Sequence, residues 1–323
     1  KFCAYKRCPT NRISVKGKQD LLEPVLDYYG IRRELLADVR PTFAAQGEVT
    51  AVAARQTGFA RGTPVTYRAG DQPNNALSLG VLKPGEVAAT AGTSGVIYAV
   101  TDKNVPDRLS RVNVFVHVNH APPRRNRYGV LACINGTGAL YRWLRQLLDE
   151  DYGNMNKLAE KVVPGADGLV IIPYGNGPER VQGGHNTGMS IHYADLNRHG
   201  VAHLARAAQE GIVFALRQGT DVMNEMGVKI KKVRAGRANM FLSDLFAKIF
   251  ASAIGATVEL MDTDGSQGAA RGAGIGAGIY KRATDAFVGL RPAKTVTPDA
   301  RLRRAYAALY PQWCETLAST FQA

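Results

Sequence analysis

The sequence predicts an α/β chain of alternating strands and helices. Three observations carry that reading: 34 glycines, many of them in loops between short apolar runs, an apolar content of 45%, and a strand, loop and helix module that recurs without a fixed repeat period. At 323 residues the chain is long enough for two packed domains.

Taken in order, Lys1 to Gln19 is basic and turn-rich with no periodicity. Leu21 to Tyr29 and Arg32 to Leu36 have helical apolar spacing, interrupted by Gly30 and ended at the Arg40-Pro41 step. Val49 to Arg55 reads as a short helix, and Val65 to Tyr67 as a short strand entering Arg68-Ala69-Gly70-Asp71. Val87 to Thr90 and Val96 to Val100 are β-rich runs around Ala91-Gly92-Thr93-Ser94-Gly95, which predicts a hairpin.

A helix follows from Gly136, with Leu140, Trp143, Leu144, Leu147 and Leu148 as its apolar positions. Gly168 to Pro173 predicts a buried strand, Ala202 to Met226 a long helix, Phe241 to Ile254 another helix and Thr257 to Met261 a strand. The small residues of Gly265 to Tyr280 suit a helix packed closely on a sheet, and the tail from Arg301 is amphipathic.

Composition narrows the function classes. No run of 18 apolar residues occurs and the first residues have no signal-like apolar core, so a cytoplasmic chain with no membrane partner is expected. The four cysteines, Cys3, Cys8, Cys133 and Cys314, have neither disulfide-scaffold density nor paired metal-ligand spacing, and reduced thiols are expected. The formal charge of +14 could serve nucleic acid or a polyanion such as ATP. It is spread over Arg124-Arg125, Arg127, Lys229, Lys231-Lys232 and Arg301 to Arg304 rather than gathered in a stripe, which argues against a nucleic-acid partner.

Several short motifs could carry chemistry. Asp71 ends the Arg68 to Gly70 turn and is either an exposed acid or a helix cap. Gly92-Thr93-Ser94-Gly95 is either an ordinary hairpin turn or a nest for phosphate oxygens. Gly136-Thr137-Gly138 and Gly236-Arg237-Ala238-Asn239 each precede a helix, where backbone can approach an anion closely. Gly272 to Gly278 contains a GxGxxA match, but a turn separates it from the preceding strand and the expected acid on the next strand is missing, so helix packing is the better reading. Walker A, HExxH and Gly-x-Ser-x-Gly sequences are absent. His117 and His120 are either near a substrate or polar contacts at a strand end, the second being the better reading.

In order and spacing, Gly70-Asp71-Gln72, Ala91 to Gly95, Gly136 to Arg145, His203 to Gly211 with Arg206-Ala207-x-x-Glu210-Gly211, and Gly236 to Leu242 resemble the FGGY family of carbohydrate kinases, its xylulokinase branch best. The resemblance implies an actin-like ATPase (ribonuclease H-like) fold with ATP in a cleft between two domains. Residues 1–80 would be the end of the first, sugar-binding domain and residues 81–323 the second, nucleotide-binding domain.

The resemblance further implies that Asp71 is the catalytic base and, with Gln72, contacts the sugar. Gly92 and Thr93 would lie at a phosphate turn, Gly138 at the nucleotide, and Gly236 and Asn239 at the adenosine turn. ATP and Mg²⁺ are the implied cofactors, a ketose such as D-xylulose the implied substrate, with another sugar or polyol, or a non-catalytic nucleotide-binding fragment, as the alternatives, and a homodimer is compatible with the family. The strand and Asp-x-Gly-Thr loop with which the family's first domain opens do not occur in these 323 residues. Weak nucleotide binding with little turnover is therefore expected of them alone.

Overall fold

The computed structural model describes residues 26–36, 40–177, 179–186 and 188–321. Cys3, Cys8, the segment Lys1 to Gln19 and the beginning of the helix expected from Leu21 lie outside them. Cys133 and Cys314 are free thiols, as expected.

Eleven strands are described: β1 (Gly47–Glu48), β2 (Pro64–Val65), β3 (Glu86–Ala91), β4 (Gly95–Thr101), β5 (Asn113–Val116), β6 (Tyr128–Ile134), β7 (Val170–Tyr174), β8 (Gly188–His192), β9 (Lys232–Gly236), β10 (Val258–Met261) and β11 (Pro292–Val296). The α-helices are α1 (Ala51–Thr57), α2 (Asp71–Ser78), α3 (Thr137–Leu147), α4 (Tyr152–Glu160), α5 (Val201–Glu225), α6 (Asp244–Ile254), α7 (Gly265–Gly276) and α8 (Ala300–Ser319). Seven strands form the main sheet in the order β11-β10-β9-β3-β4-β6-β5, while β1-β2 and β7-β8 are separate antiparallel pairs.

The expected hairpin is β3–β4, paired antiparallel from Val87↔Ala99 to Ala91↔Gly95. Since β9 and β10 run parallel to β3, and β6 runs antiparallel to β4, the strands β3, β6, β9 and β10 all point the same way. Their carboxyl ends share one edge of the sheet, where open α/β sheets place their ligand-binding loops.

Period-two burial explains why both faces are covered. Val87, Ala89, Ala91, Ile97, Ala99, Val130 and Ala132 belong to the large core that also contains Ile212, Leu216, Phe246 and Phe250 of α5 and α6. Ala88, Val96, Tyr98, Val100 and Leu131 point the other way and pack with Ala76, Leu79 and Val81 at the end of α2. The whole of β4 is buried, which accounts for its unbroken apolar run.

Two sequence expectations are corrected. Trp143 and Leu147 of α3 stay 43% and 63% exposed, whereas Leu140 and Leu144 are buried, so the apolar face is narrower than the composition implied. The small-residue helix α7 packs on α2, on the Thr66 backbone and on the Tyr67 ring rather than on the sheet. A Cβ at Gly268 would lie 2.7 Å from the Ser78 Cβ, and one at Gly276 would lie 2.0 Å from the Thr66 carbonyl oxygen. Packing, not a dinucleotide fingerprint, thus accounts for these glycines.

His117 is fully buried between the Tyr98 hydroxyl, 3.0 Å from Nδ1, and the Val81 carbonyl oxygen, 3.1 Å from Nε2. A carbonyl only accepts, so Nε2 carries the proton and Nδ1 accepts from Tyr98. Burial pushes the imidazole down to about 3, and it stays neutral in the folded chain. The unfolded chain binds this proton below about pH 6.5, so stability is lost as the pH falls from there toward 3, at most about 1.4 kcal/mol per pH unit from this group. Urea unfolding at pH 7.5 and pH 5 should show a smaller acid-induced loss in His117→Gln than in the parent. An equal loss in both would contradict this assignment.

Candidate nucleotide and sugar site

Three of the glycine-containing turns singled out in the sequence leave the sheet at the common carboxyl edge. Gly92 and Thr93 follow β3, Gly136 to Gly138 follow β6, and Arg237 to Asn239 follow β9, which ends at Gly236. A fourth turn, Asp262 to Asp264, follows β10.

The first two turns are fused. The Gly92 carbonyl oxygen accepts from the Gly138 amide at 2.8 Å and from the buried Thr137 hydroxyl at 2.9 Å, while the Ala139 amide reaches the Thr93 carbonyl at 3.2 Å. A Cβ at Gly138 would lie 2.3 Å from that same Gly92 oxygen. No side chain fits there, which explains the glycine. The helix start was read as a place where backbone can approach an anion closely; its Gly138 amide is already donated to Gly92.

Asn239 joins the same group. Its side-chain nitrogen lies 3.5 Å from where a Gly92 Cβ would be, and its φ of 54° puts it in the left-handed region that asparagine tolerates better than most residues. Gly236 pairs in parallel register with Met261, and the next amide, Arg237, donates to the Met261 carbonyl at 2.9 Å. Thr93 and Asn239 are exposed, so these positions face solvent.

Asp71 lies in the first turn of α2, after the N-cap Gly70, and is exposed. Its Oδ1 accepts from the Gln72 amide at 2.8 Å and its Oδ2 from the Gln72 side-chain nitrogen at 3.5 Å, and the carboxylate remains exposed at the surface. The Gln72 Oε1 is enclosed and has no hydrogen-bond partner among the described residues.

Two arginines fix α2. Arg234 on β9 donates to the Leu79 and Gly80 carbonyls at 3.1 and 2.8 Å, and Arg271 on α7 donates to the Ser78 carbonyl at 3.1 Å. Asn74 reaches the Gly265 carbonyl at 2.8 Å, and Gly265 lies two residues beyond Thr263, whose carbonyl oxygen faces Gly236. A continuous set of contacts therefore runs from the helix of Asp71 to the turn of Asn239. The negative charge of Asp71 also reaches Cys133 near the end of β6, where, after burial and Glu179, it helps push the thiol up.

Sequence reasoning passed over Glu179. It is fully buried, and its Oε1 accepts from the Asn135 amide at 2.7 Å, at the turn leading into α3. Burial pushes its carboxyl up to about 7, against the amides of Asn135 and Gly136, which pull it down. Asn176 holds the other side of the turn by donating to the Asn135 carbonyl at 3.2 Å. A lone acid in a glycine- and proline-rich loop carries no sequence mark of burial, so nothing distinguished it.

His117, His120 and the surface concavity lined by Asp102, Ala121, Pro123, Arg124, Arg125, Asn126 and Arg127 lie toward the opposite end of the sheet, beyond the Thr101↔Tyr128 pair. Neither histidine joins the candidate site. No group of three or more His, Cys, Asp or Glu among the described residues could hold a metal ion.

Residues 87–279, more than half of the chain, match the model of the C-terminal domain of the FGGY family of carbohydrate kinases. The chain belongs to this family. The FGGY chain is 30% identical over 200 residues to a xylulose kinase of Haemophilus influenzae, covering 61% of this chain and 39% of that protein. It is 29% identical over 206 residues to a gluconokinase of Bacillus licheniformis, covering 60% and 39%. The crystal structure of xylulose kinase from Rhodospirillum rubrum superposes with a TM-score of 0.80 at 27% identity, over 93% of this chain and 60% of that one. The fold is thus the actin-like fold of the FGGY sugar kinases, and the chain spans 39% to 60% of the length of these relatives. Among the described residues, no helix is long and apolar enough to cross a membrane.

Replacing Gly138 with alanine forces the Gly92 carbonyl to move or breaks its two hydrogen bonds. Gly138→Ala should cost about 1–3 kcal/mol, the range for overpacking a close contact. Chemical denaturation measures the loss; Ala139→Gly, one position on, is the control for general helix weakening. A Gly138→Ala protein as stable as the parent would show that this contact does not constrain the turn.

Proposed function

We propose that this chain is the nucleotide-binding part of an ATP-dependent sugar kinase that phosphorylates a ketose, D-xylulose first among the candidates. The observation that carries the reading is the meeting of the Gly92-Thr93, Gly138 and Asn239 turns at one sheet edge, in a chain of the FGGY family. In this reading residues 1–80 close the sugar-binding domain and residues 81–323 form the nucleotide-binding domain. Gly92 and Thr93 approach the phosphates, Gly138 allows close contact with the nucleotide, and Gly236 and Asn239 border the adenosine.

Asp71 is the general base and, with Gln72, a contact to the sugar. A carboxylate within hydrogen-bond reach of the sugar's primary hydroxyl accepts its proton as the oxygen attacks the γ-phosphorus, and ADP leaves. The exposed carboxylate of Asp71 suits a hydroxyl donor. Magnesium usually binds through one or two carboxylates and the substrate's phosphates rather than in an all-protein cage, so it would arrive with ATP and neutralise developing phosphoryl charge. The names of the relatives favour xylulose, with gluconate as the second substrate to consider.

Asp71→Asn, made in an active form of the protein that contains this whole chain, should lower D-xylulose-dependent ADP formation by about 10²- to 10⁴-fold with little change in ATP affinity. A coupled ADP assay run with D-xylulose and with D-gluconate tests role and substrate together. Near-parental turnover in Asp71→Asn would exclude it as the base, and preference for gluconate would reassign the substrate.

A further inference from the structure

We propose that Glu179 is a positioning residue of the nucleotide site, a buried carboxyl group that holds the β6–α3 turn in place and is electrostatically coupled to phosphates bound at the neighbouring Gly92-Thr93 turn. The proposal rests on the nucleotide reading given above.

The geometry is specific. Glu179 is 0% exposed, and it enters from the connection between β7 and β8 rather than from the elements it supports. Its own backbone is fixed, its amide donating to the His185 carbonyl at 3.1 Å and its carbonyl accepting from the Gly184 amide at 2.8 Å. Oε1 accepts from Asn135, and the Gly136 amide also favours the charged form, while Oε2 is enclosed with no hydrogen-bond partner among the described residues. A buried carboxyl group whose only stabilising neighbours are two amides of the turn it supports is costly to keep ionised, which couples its proton to the position of that turn.

Two residues beyond Gly136, Gly138 sits on the Gly92 carbonyl. Gly136 itself lies against β7, since a Cβ there would be 1.9 Å from the Pro173 carbonyl oxygen. Glu179 from one side and Pro173 from beneath therefore set where α3 starts, and that start sets the hairpin turn.

Among the described residues few other charges compete at this spot. Cys133 on β6 and Tyr174 on β7 both feel Glu179, and burial pushes each of them up, so they stay neutral near pH 7. Asp71 on α2 acts on Cys133 from the solvent side. Arg180 reaches away to the Ser110 carbonyl, and His185 meets Glu179 through backbone, with its ring against Phe321. Glu179 is thus the titrating group beneath the turn, poised near neutrality by its burial. Phosphates arriving on the other side of the turn raise its proton affinity further, since like charges disfavour ionisation. By linkage, nucleotide binds more tightly as the pH falls through neutrality.

Calorimetric titration of the 323-residue chain with ATP at pH 6, 7 and 8 tests this, with slopes compared between parent and variant to cancel the nucleotide's own titration. The parent should lose roughly three- to tenfold in affinity from pH 6 to 8 through this group. Glu179→Gln keeps an oxygen for Asn135 and should bind within about threefold of the parent at pH 6 but with that part of the slope gone. Glu179→Ala should bind about tenfold more weakly or worse. If circular dichroism shows Glu179→Ala unfolded, the Glu179→Gln slope alone decides. Parental affinity in a folded Glu179→Ala, or a parental slope in Glu179→Gln, overturns the proposal. No ATP binding by the parent chain at all overturns the nucleotide reading beneath it.

Discussion

The carbonyl of Gly92 is the point on which the candidate site turns. One oxygen accepts both the Gly138 amide and the Thr137 hydroxyl, and so ties the β3–β4 hairpin to the start of α3. An acceptor with both lone pairs used inside the protein cannot also serve a ligand. The junction is scaffold, and it leaves the exposed Thr93 and Asn239 side chains as what a ligand would meet. The contact demands glycine at 138 and is compatible with little else, because the constraint is a distance between backbones rather than a preference of side chains.

Behind this junction lies a polar knot that decides where the supporting helices stand. Arg206 on α5 donates to Glu210 at 2.7 Å, to the Val162 carbonyl at 3.0 Å and to the Tyr306 hydroxyl at 2.7 Å, and Tyr306 in turn donates to Glu210 at 3.0 Å. The Gly165 amide completes the carboxylate. A buried ion pair adds little to stability compared with apolar packing, but breaking one half strands a charge at a cost of about 3–5 kcal/mol. Full satisfaction by partners from α5, α8 and the loop after α4 makes this arrangement specific rather than merely stable. The same helix approaches β7 closely enough that a Cβ at Gly211 would be 2.2 Å from the Ile171 carbonyl oxygen. The RAxxEG pattern of the sequence is therefore a packing device at the rear of the sheet, not a ligand contact.

The position of Asp71 follows from long-range bonds. Residues 66 to 80 are far in sequence from α7 and β9, yet Thr66 donates to the Ala273 carbonyl at 2.7 Å and Arg234 and Arg271 hold the end of α2. Apolar contacts of Ala76 and Leu79 with the second face of the sheet reinforce the arrangement. Asp71 thereby stands on a helix clamped from two sides while its own side chain stays in water. In the proposed role of general base, a rigid element with an open carboxylate is what proton transfer to a bound hydroxyl would require.

Much of the fold was legible in the sequence because strand and helix periods are local properties. The hairpin around Gly92, the long helix α5 and the strand before Asp262 all follow from apolar spacing and glycine punctuation. The order of glycine motifs also sufficed for the family resemblance and for nominating Asp71, Thr93, Gly138 and Asn239. What the sequence by itself could not determine was which donors were spent and which groups were buried. Whether the Gly138 amide is free, whether α7 packs on a sheet or on α2, and whether Glu179 is a surface acid or a buried carboxyl group beneath a turn depend on residues 40 to 200 positions apart. Burial and hydrogen-bond satisfaction belong to the packed chain, since desolvation exists only once distant segments have displaced the water between them.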